Sequence, residues 1–347
     1  MKPGIFATLV AAAIAVVHPI AGQAQPAGTS EPKVNAEGRP IRLQVYAGGI
    51  INLIQWVMVE KGFCTSYGLK CELVAVPSAP LGIQAAVAGS LDIVVSSADV
   101  VVQAAAGGAP IQFVGGLLPA PPFALSMRSD VAGQARSLAY PDSIRALKGM
   151  KIGVTARGSG PETQMKLLLA DARMNPDTDV IFVAVGAPAA QVAALSAKQI
   201  DGVMSFEPVP TVCESSSMCF NLVDVRKGQG SATGKSIASV NYAASRAFIE
   251  KNPVTVDAFR QASAAAIEWA AKPENLNDVL AVVKKHFTLG DLPDAAAITD
   301  RLVRNQVTSY HWKLDRAGVK TTFDYFSSLK PPTAGVDPAS LVYKKAY

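Results

Sequence analysis

Residues able to bind an anion stand where a predicted helix begins. Arg157, Gly158 and Ser159 follow a predicted strand and precede a helix expected to reach about Arg173. Free backbone N–H groups and the positive end of a helix attract anions, and Gly158 allows a ligand to approach the backbone closely. We therefore predict that this turn binds an acidic group. Two alternatives stay open: Ser159 and Glu162 form a capping box that serves only their own helix, and Arg157 is a solvated residue at the rim.

Other turns of the chain have the same character. In open α/β sheets, ligands bind beyond the carboxyl ends of the strands, so the residues that follow each predicted strand are candidate ligand contacts. They are Gly48, Gly49, Ile51, Asn52, Ser78, Ser97, Asp99, Gly186, Phe206 and Glu207, together with Arg157, Gly158 and Ser159. Ser78 and Asp99 are equally well explained as helix caps, and Phe206, like Tyr46, as a residue of the hydrophobic core.

Two functional classes are disfavoured by the sequence. The three histidines, His18, His286 and His311, are scattered, and the chain has no G-x-S-x-G motif, no H-E-x-x-H motif and no P-loop. The sequence therefore predicts a binding protein without a cofactor or metal, not an enzyme. The net charge of +5 comes from 32 basic and 27 acidic side chains. No basic cluster suggests a nucleic-acid partner.

The four cysteines form two close pairs. Cys64 and Cys71 lie seven residues apart, and Cys213 and Cys219 lie six apart. An oxidising compartment favours disulfides, and pairing within each pair is the simplest connectivity. Four separate buried thiols remain the alternative. A zinc site is disfavoured, because neither pair has C-x-x-C spacing.

The N-terminus has the pattern of a secretory signal. Lys2 precedes an apolar run over residues 5–17, and small residues lead to a cleavage position after Ala24. The run is too short to span a bilayer, and no cysteine stands near the cleavage position for lipid attachment. We predict a signal peptide over residues 1–24, a flexible segment over 25–40, and a mature protein that is soluble in the periplasm.

Strands and helices alternate in two successive blocks along the chain. The blocks cover residues 41–127 and 128–238, a pattern typical of mostly parallel sheets flanked by helices. The predicted fold is therefore α/β with two lobes, a ligand cleft between them, and a last segment, 239–347, that returns to the first lobe and ends in helices. Asp92–Ser96 and Asp201–Ser205 share the pattern D-x-V-x-S, which suggests that the two lobes are related.

Short motifs in a fixed order resemble those of a known family. They are Glu60-Lys61-Gly62-Phe63 with Tyr67-Gly68-Leu69, Gln84–Asp92, Gly107–Ile111, Leu147–Val154, Gly158-Ser159, Ala194–Asp201 and Phe206-Glu207-Pro208. In order and spacing over residues 41–260, they resemble the periplasmic sulfonate-, nitrate- and taurine-binding proteins of ABC transporters and their thiamine-precursor-binding relatives. Cys64 stands where that family usually has Phe, and Cys71 where it often has Val. The presence of cysteine at both positions strengthens the interpretation that the two residues form a disulfide.

The resemblance implies a two-lobed periplasmic binding protein of type II that closes on its ligand by a hinge motion. Such a protein delivers its ligand to an ABC permease in the inner membrane, and we expect it to act as a monomer. We predict a small organic anion as ligand, of the sulfonate or the aromatic or aliphatic carboxylate type. The alternatives are binding of a pyrimidine or thiamine precursor and a ligand-sensing role in a receptor system. A pyrimidine-synthesising relative is disfavoured, because the Cys-rich motif of those enzymes is missing.

Overall fold

A computed structural model describes residues 32–237, 239–290, 292–329 and 336–346. The predicted signal peptide, residues 1–24, lies outside the described residues. All described residues except Pro32 belong to a single structural unit that spans Lys33–Tyr347.

One layer of strands is built from both ends of the chain. Its strands are β1 (Arg39–Val45), β2 (Leu69–Ala75), β3 (Val94–Ser97), β4 (Ile111–Leu118) and β10 (Val240–Ser245). β1 pairs in parallel with β2, and an isolated parallel bridge from Leu43 to Ile93 connects β1 to the start of β3. β10 runs antiparallel between β3 and β4. The order across the layer is therefore β2-β1-β3-β10-β4.

A second layer repeats this arrangement in the middle of the chain. Its strands are β5 (Ala124–Arg128), β6 (Lys151–Val154), β7 (Ile181–Ala184), β8 (Gly202–Ser205) and β9 (Cys219–Asp224). They lie in the order β7-β6-β8-β5-β9, with β6 parallel to β7 and β8, and β5 antiparallel to β8 and β9. The two-lobed α/β fold predicted from the sequence is therefore confirmed.

The antiparallel strand of each layer arrives from the other layer. β5 follows β4 through residues 119–123, and β10 follows β9 through residues 225–239. We call the first layer with its helices lobe 1 and the second layer with its helices lobe 2. The structure places the first crossing a few residues before the limit expected at residue 127, because β5 already pairs with β8 and β9.

The shared D-x-V-x-S pattern occupies the same place in both lobes. Asp92 precedes β3 and Asp201 precedes β8, the third strands of the two orders. Asp92 Oδ2 accepts a hydrogen bond from the N–H of Arg42 at 2.7 Å, and Asp201 Oδ2 accepts one from the N–H of Lys151 at 2.9 Å. Each carboxylate thus connects the start of the third strand to the neighbouring second strand of its layer, β1 in lobe 1 and β6 in lobe 2, which makes both aspartates structural residues.

The helices pack around these two layers. Those of lobe 1 are α1 (Leu53–Glu60), α2 (Phe63–Ser66), α3 (Ala79–Val87), α4 (Ala98–Ala106), α11 (Arg246–Lys251), α12 (Pro253–Ala270), α13 (Leu276–His286), α14 (Ala295–Val307) and α15 (Arg316–Leu329). Those of lobe 2 are α5 (Gly133–Arg136), α6 (Asp142–Arg145), α7 (Gly160–Asp171), α8 (Pro188–Ser196), α9 (Val209–Ser215) and α10 (Gly234–Ile237). Within the described ranges, no helix combines the length and apolar character needed to cross a bilayer.

The segment before β1 differs from the flexible N-terminus expected over residues 25–40. Its residues 25–31 lie outside the described part of the chain, but Ala36 is buried and its N–H donates to Tyr67 O at 2.9 Å. The N–H of Gly38 donates to Gly68 O at 2.7 Å, and β1 begins at Arg39. The Pro- and Gly-rich composition suggested flexibility, but backbone hydrogen bonds to the turn before β2 hold these residues in place.

Two disulfides fix local segments of the fold. Cys64 bonds to Cys71 and joins α2 to β2, whereas Cys213 bonds to Cys219 and joins α9 to β9. Both predicted pairings are therefore present. Closing such short loops contributes about 2–3 kcal/mol each in the chain-entropy account.

Candidate functional site

The cleft between the lobes contains a narrow cavity of about 30 Å³. Lobe 1 contributes Tyr46, Ile51, Ala79, Val95, Ser96, Ser97 and Val240, the first crossing contributes Pro122 and Phe123, and lobe 2 contributes Thr155, Ser159, Gly160, Pro161 and Phe206. We call it the narrow cavity. Because a single water needs ~10–15 Å³ of such volume, an organic ligand fits only when the lobes move apart.

The lobe 1 wall is held by hydrogen bonds of the loop after β1, both within the loop and to β3. The Tyr46 hydroxyl donates to Val95 O at 2.6 Å, and burial raises the pKa of Tyr46 well above its usual value. Asn52, a predicted ligand contact, accepts from the N–H of Tyr46 at 2.9 Å and donates to its carbonyl at 2.7 Å. The Asn52 amide therefore shapes the loop, while Ile51 and the Tyr46 ring line the cavity.

The predicted glycines lie where the two lobes approach each other. Gly48 has φ +69°, and a Cβ at this position would lie 2.8 Å from Ala189 Cβ in lobe 2. A Cβ at Gly49 would lie 3.3 Å from the Phe206 ring, and one at Gly186, which has φ +93°, would lie 3.8 Å from Pro77 Cβ in lobe 1. The missing side chains at these glycines allow the two lobes to approach each other closely, whereas the sequence predicted that they allow a ligand to approach.

The lobe 2 wall is formed by hydroxyl groups around the start of α7. Thr155 and Ser159 line the narrow cavity together with Gly160. Ser159 occupies the N-cap position but makes no side-chain cap bond. Its Oγ instead donates to Ala156 O at 2.6 Å. Because this oxygen also accepts from the N–H of Ala156 at 3.4 Å, the Ser159 side chain binds the turn before α7 and is not a simple helix cap.

Glu162 binds a backbone N–H group just before its own helix, which is close to the contact expected of a capping box. Its Oε2 accepts from the N–H of Gly158 at 2.6 Å, and its Oε1 accepts from Arg157 Nε at 3.1 Å and lies 2.9 Å from Lys166 Nζ. Burial opposes the charged form, but these three donors outweigh it and lower the pKa of Glu162. A buried, charged carboxylate therefore organises the turn before α7.

Arg157 lies on the exposed side of the same turn. Its side chain is 59% exposed and pairs with Glu162 through Nη2 at 3.0 Å. Its guanidinium also lies over the Phe182 ring, 5.3 Å from the centroid. Arg157 is not among the residues that line the narrow cavity. The exposed position of Arg157 matches the alternative given from the sequence, in which it is a solvated residue at the rim of the site.

Aromatic rings connect the lobes across the cavity. The Phe206 ring lies 5.4 Å from the Tyr46 ring at an interplanar angle of 76°, and 6.4 Å from the Phe123 ring at 68°. Edge-to-face pairs of this kind are favourable. Because Tyr46 belongs to lobe 1 and Phe206 to lobe 2, their contact forms only when the lobes are close together.

Three predicted polar residues of lobe 1 are buried beside or behind the cavity. Ser97 lines it and occupies the N-cap position of α4, without a side-chain cap bond. Ser78 has the same position at α3, and its buried Oγ has no partner among the described residues. Asp99 lies in the first turn of α4 and is fully buried. Neither serine side chain caps its helix.

A wider cavity of about 420 Å³ shares Pro122 of the first crossing with the narrow cavity. Glu207 lies on its wall and accepts from Thr211 Oγ1 at 2.9 Å. Arg226 also lines it, pairs with Glu207, and is bound by both oxygens of Asp224. Burial lowers the pKa of Arg226 to about 10. Glu207 therefore belongs to a charged network next to the narrow cavity, not to the narrow cavity itself.

The ends of the predicted strands account for only part of this site. Of the predicted residues, Ile51, Ser97, Ser159 and Phe206 line the narrow cavity. The prediction omitted Thr155, although it directly follows β6 and satisfies the same rule. Pro122 and Phe123 were also missed, because they belong to the crossing between lobes and follow no parallel strand.

Solved structures share this architecture. A protein from Bordetella bronchiseptica RB50 has a TM-score of 0.77 at 25% identity, over 89% of this chain and 96% of that chain. The alkanesulfonate-binding protein SsuA from Xanthomonas axonopodis pv. citri, bound to MOPS, has a TM-score of 0.68 at 17% identity, over 89% and 99% of the two chains. The periplasmic nitrate-binding protein NrtA from Synechocystis PCC 6803 has 0.68 at 13%, over 88% and 86%. The fold is thus that of the periplasmic binding proteins.

The sequence itself defines the family. Residues 51–284, more than half of the chain, match the profile of the NMT1-like family. The protein belongs to the NMT1-like family. A comparison with curated proteins found no match.

Proposed function

We propose that the protein is the extracytoplasmic solute-binding component of an ABC importer and delivers its ligand to a permease in the inner membrane. The observation that carries the proposal is the narrow cavity, whose walls come from both lobes and from the first crossing between them. Solved proteins of the same fold are named as alkanesulfonate-binding and nitrate-binding. The protein acts by binding and release, not by catalysis.

The lining favours a small organic acid with an apolar body, of the sulfonate or carboxylate type. Tyr46, Phe123 and Phe206 supply an aromatic surface for the body of the ligand. The acidic group accepts hydrogen bonds from the Thr155 hydroxyl and from the Ser159 hydroxyl, which then releases Ala156 O, at the positive N-terminal end of α7. Arg157 stands at the rim of this turn and adds long-range attraction more than direct contact.

The small size of the narrow cavity implies that the two lobes must open to admit a ligand. A cavity of about 30 Å³ excludes any organic acid while Gly48 touches Ala189 and Phe206 touches Tyr46. The ligand therefore enters when the lobes separate along the two crossings, and part of the aromatic contact is replaced by ligand. Binding is coupled to the motion, because only the ligand can bridge both walls of the opened cleft.

A flat, uncharged ring of the pyrimidine type is the second candidate ligand. The edge-to-face pair of Tyr46 and Phe206 favours it, because a planar ring between them gains contact with both aromatic side chains. Such a ring needs no cation in the pocket, and no cationic side chain occurs among the residues that line the narrow cavity.

A thermal-shift screen tests the function and separates the two ligands. Alkanesulfonates, aromatic and aliphatic carboxylates, nitrate and pyrimidines are each added to the mature protein. A true ligand at 100 times its Kd raises the free energy of unfolding by about 2.7 kcal/mol, and it is recovered unchanged after long incubation. Steady formation of a product, or no stabilisation by any organic acid or ring, would contradict the proposal.

A further inference from the structure

The contact between the lobes buries a carboxyl group at the meeting point of two helix N-termini. Ser97 precedes α4 in lobe 1, and its side chain packs against Gly160, the first residue of α7 in lobe 2. In the first turn of α4, Asp99 lies beside Thr163 of α7. Asp99 has 0% exposure, so the closed lobes shield it completely from solvent.

This carboxyl group is poorly satisfied where it lies. Neither oxygen of Asp99 has a hydrogen-bond partner of normal geometry among the described residues. Burial raises the pKa of Asp99, and the nearby hydroxyls of Ser97 and Thr163 and the N–H groups of Asp99 and Val100 offset this effect only in part. Burying an ionised carboxylate without partners is costly, so the closed arrangement favours the protonated acid.

The charged groups of the neighbouring elements are mostly engaged elsewhere. β3, β4, β10 and α3 also pack on α4, and their sequences contain no charged residue. The charged residues on the other two helices that pack on α4 are Glu162, Lys166 and Asp171 of α7 and Arg316, Lys320 and Asp324 of α15. Glu162 binds Lys166, Asp171 accepts from Tyr140, and Lys320 pairs with Asp324.

We propose that Asp99 is a proton switch for lobe closure: the closed protein holds the neutral acid between α4 and α7, and the open protein exposes it as a carboxylate. Opening removes α7 from the carboxyl group, so Asp99 returns toward the ordinary value of about 3.9 for an aspartate. The pKa is thus higher in the closed state, and closure takes up a proton. Closure is favoured at low pH, and this advantage is lost as pH rises through the closed-state pKa.

Small-angle X-ray scattering of dialysed, ligand-free protein between pH 5 and pH 8 tests this switch. The radius of gyration should fall as pH is lowered, with the open-to-closed ratio changing by up to about tenfold per pH unit. Asp99→Asn should be as compact at pH 8 as wild type is at pH 5, without pH dependence. Asp278→Asn, which changes an exposed carboxyl group on α13, should behave like wild type. Far-UV circular dichroism confirms folding at each pH.

A second variant keeps the test decisive if Asp99→Asn fails to fold. Gly160→Ala places a Cβ against Ser97 and should hold the lobes apart, so Asp99 stays exposed and the radius of gyration stays large and independent of pH. A wild-type radius that does not change with pH would overturn the proposal. A pH dependence that persists in Asp99→Asn, or in Gly160→Ala if Asp99→Asn does not fold, would overturn it as well. No ligand is involved, so these results are independent of the proposed function.

Discussion

Lobe 1 and lobe 2 each place a buried carboxyl group in the first turn of a helix at the cleft, and the two groups behave in opposite ways. Glu162 of α7 receives hydrogen bonds from Gly158 N–H, Arg157 and Lys166, and its pKa is lowered. Asp99 of α4 lacks partners of normal geometry, and its pKa is raised. Burial acts in the same direction on both groups, so their partners decide which one stays charged.

This contrast assigns different roles to the two helix ends. The α7 end is rigid, because a charged carboxylate holds the turn around Gly158 while Ser159 faces the narrow cavity. The α4 end is adaptable, because Asp99 is buried there as the neutral acid while the lobes are closed and becomes a solvated carboxylate when they open. A binding protein needs both properties: a fixed wall that recognises the ligand and a contact that can open.

The largest expected effect comes from preventing the two helix ends from meeting. A Cβ on Gly160 would lie 3.1 Å from Ser97 Cβ and 3.2 Å from Phe123 Cζ, and it would overlap Ser97 Oγ. Overpacking of this kind costs about 1–3 kcal/mol, so Gly160→Ala should weaken binding of the strongest compound from the screen by about 5- to 150-fold, measured by calorimetry. Gly133→Ala is the control, because a Cβ there meets no atom within 4 Å. Equal affinities of the two variants would show that closure at Gly160 is unimportant for binding.

The aromatic contact between the lobes should have the next largest effect. Phe206→Ala removes the edge-to-face contacts with Tyr46 and Phe123. In the bound state the ligand takes over part of this aromatic surface, and each aromatic contact is worth about 0.5–1.5 kcal/mol, so affinity should fall by about tenfold. Phe206→Leu keeps apolar volume and should lose less. An unchanged Kd in Phe206→Ala would remove Phe206 from the ligand site.

Glu162→Gln tests the charged half of the comparison. The substitution removes a buried charge that binds Arg157 and Lys166, so the free energy of unfolding should drop by about 1–3 kcal/mol near neutral pH. The pKa of Glu162 is lowered in the folded protein, so wild type should lose this stabilisation as pH falls through that pKa. Urea unfolding at several pH values should therefore show the two proteins converging at low pH. A constant difference at all pH values would indicate that Glu162 stabilises the turn by shape alone.

The smallest effect is expected for Arg157→Ala. The guanidinium is 59% exposed and already paired with Glu162, and exposed ion pairs contribute only about 0–1 kcal/mol. Affinity for an organic acid should therefore drop by no more than about fivefold, and less than in Ser159→Ala. A much larger loss in Arg157→Ala, measured by calorimetry, would place the guanidinium on the ligand.

The sequence predicted the elements whose signal is local. The residue pattern of Leu276–His286 predicts a helix, and α13 has those limits in the structure, because the apolar spacing and the flanking residues that define it are all nearby in the chain. β5 was not predicted: its sequence, Ala-Leu-Ser-Met-Arg, contains no β-branched residue and is buried throughout. It is a strand because β8 and β9 pair with it on both sides, which no local pattern shows.

The distinction between local signals and long-range contacts also explains which residues of the site could be predicted. Strand ends can be located along the chain, so Ser97, Ser159 and Phe206 were found. The partners of a side chain cannot be located in this way. The sequence therefore did not show that Arg157 pairs with Glu162 or that Asp99 lies beside Thr163. Those contacts depend on how α4, α7 and their lobes come together.

The most direct test of the central claim is small-angle X-ray scattering at fixed pH, with and without a saturating amount of the strongest compound from the screen. If the ligand binds between the lobes and draws them together, the radius of gyration should decrease on addition of the compound. The decrease should be absent in Gly160→Ala and present in Gly133→Ala. A radius that stays constant in wild type at full saturation would contradict the account, because the compound would then bind outside the cleft.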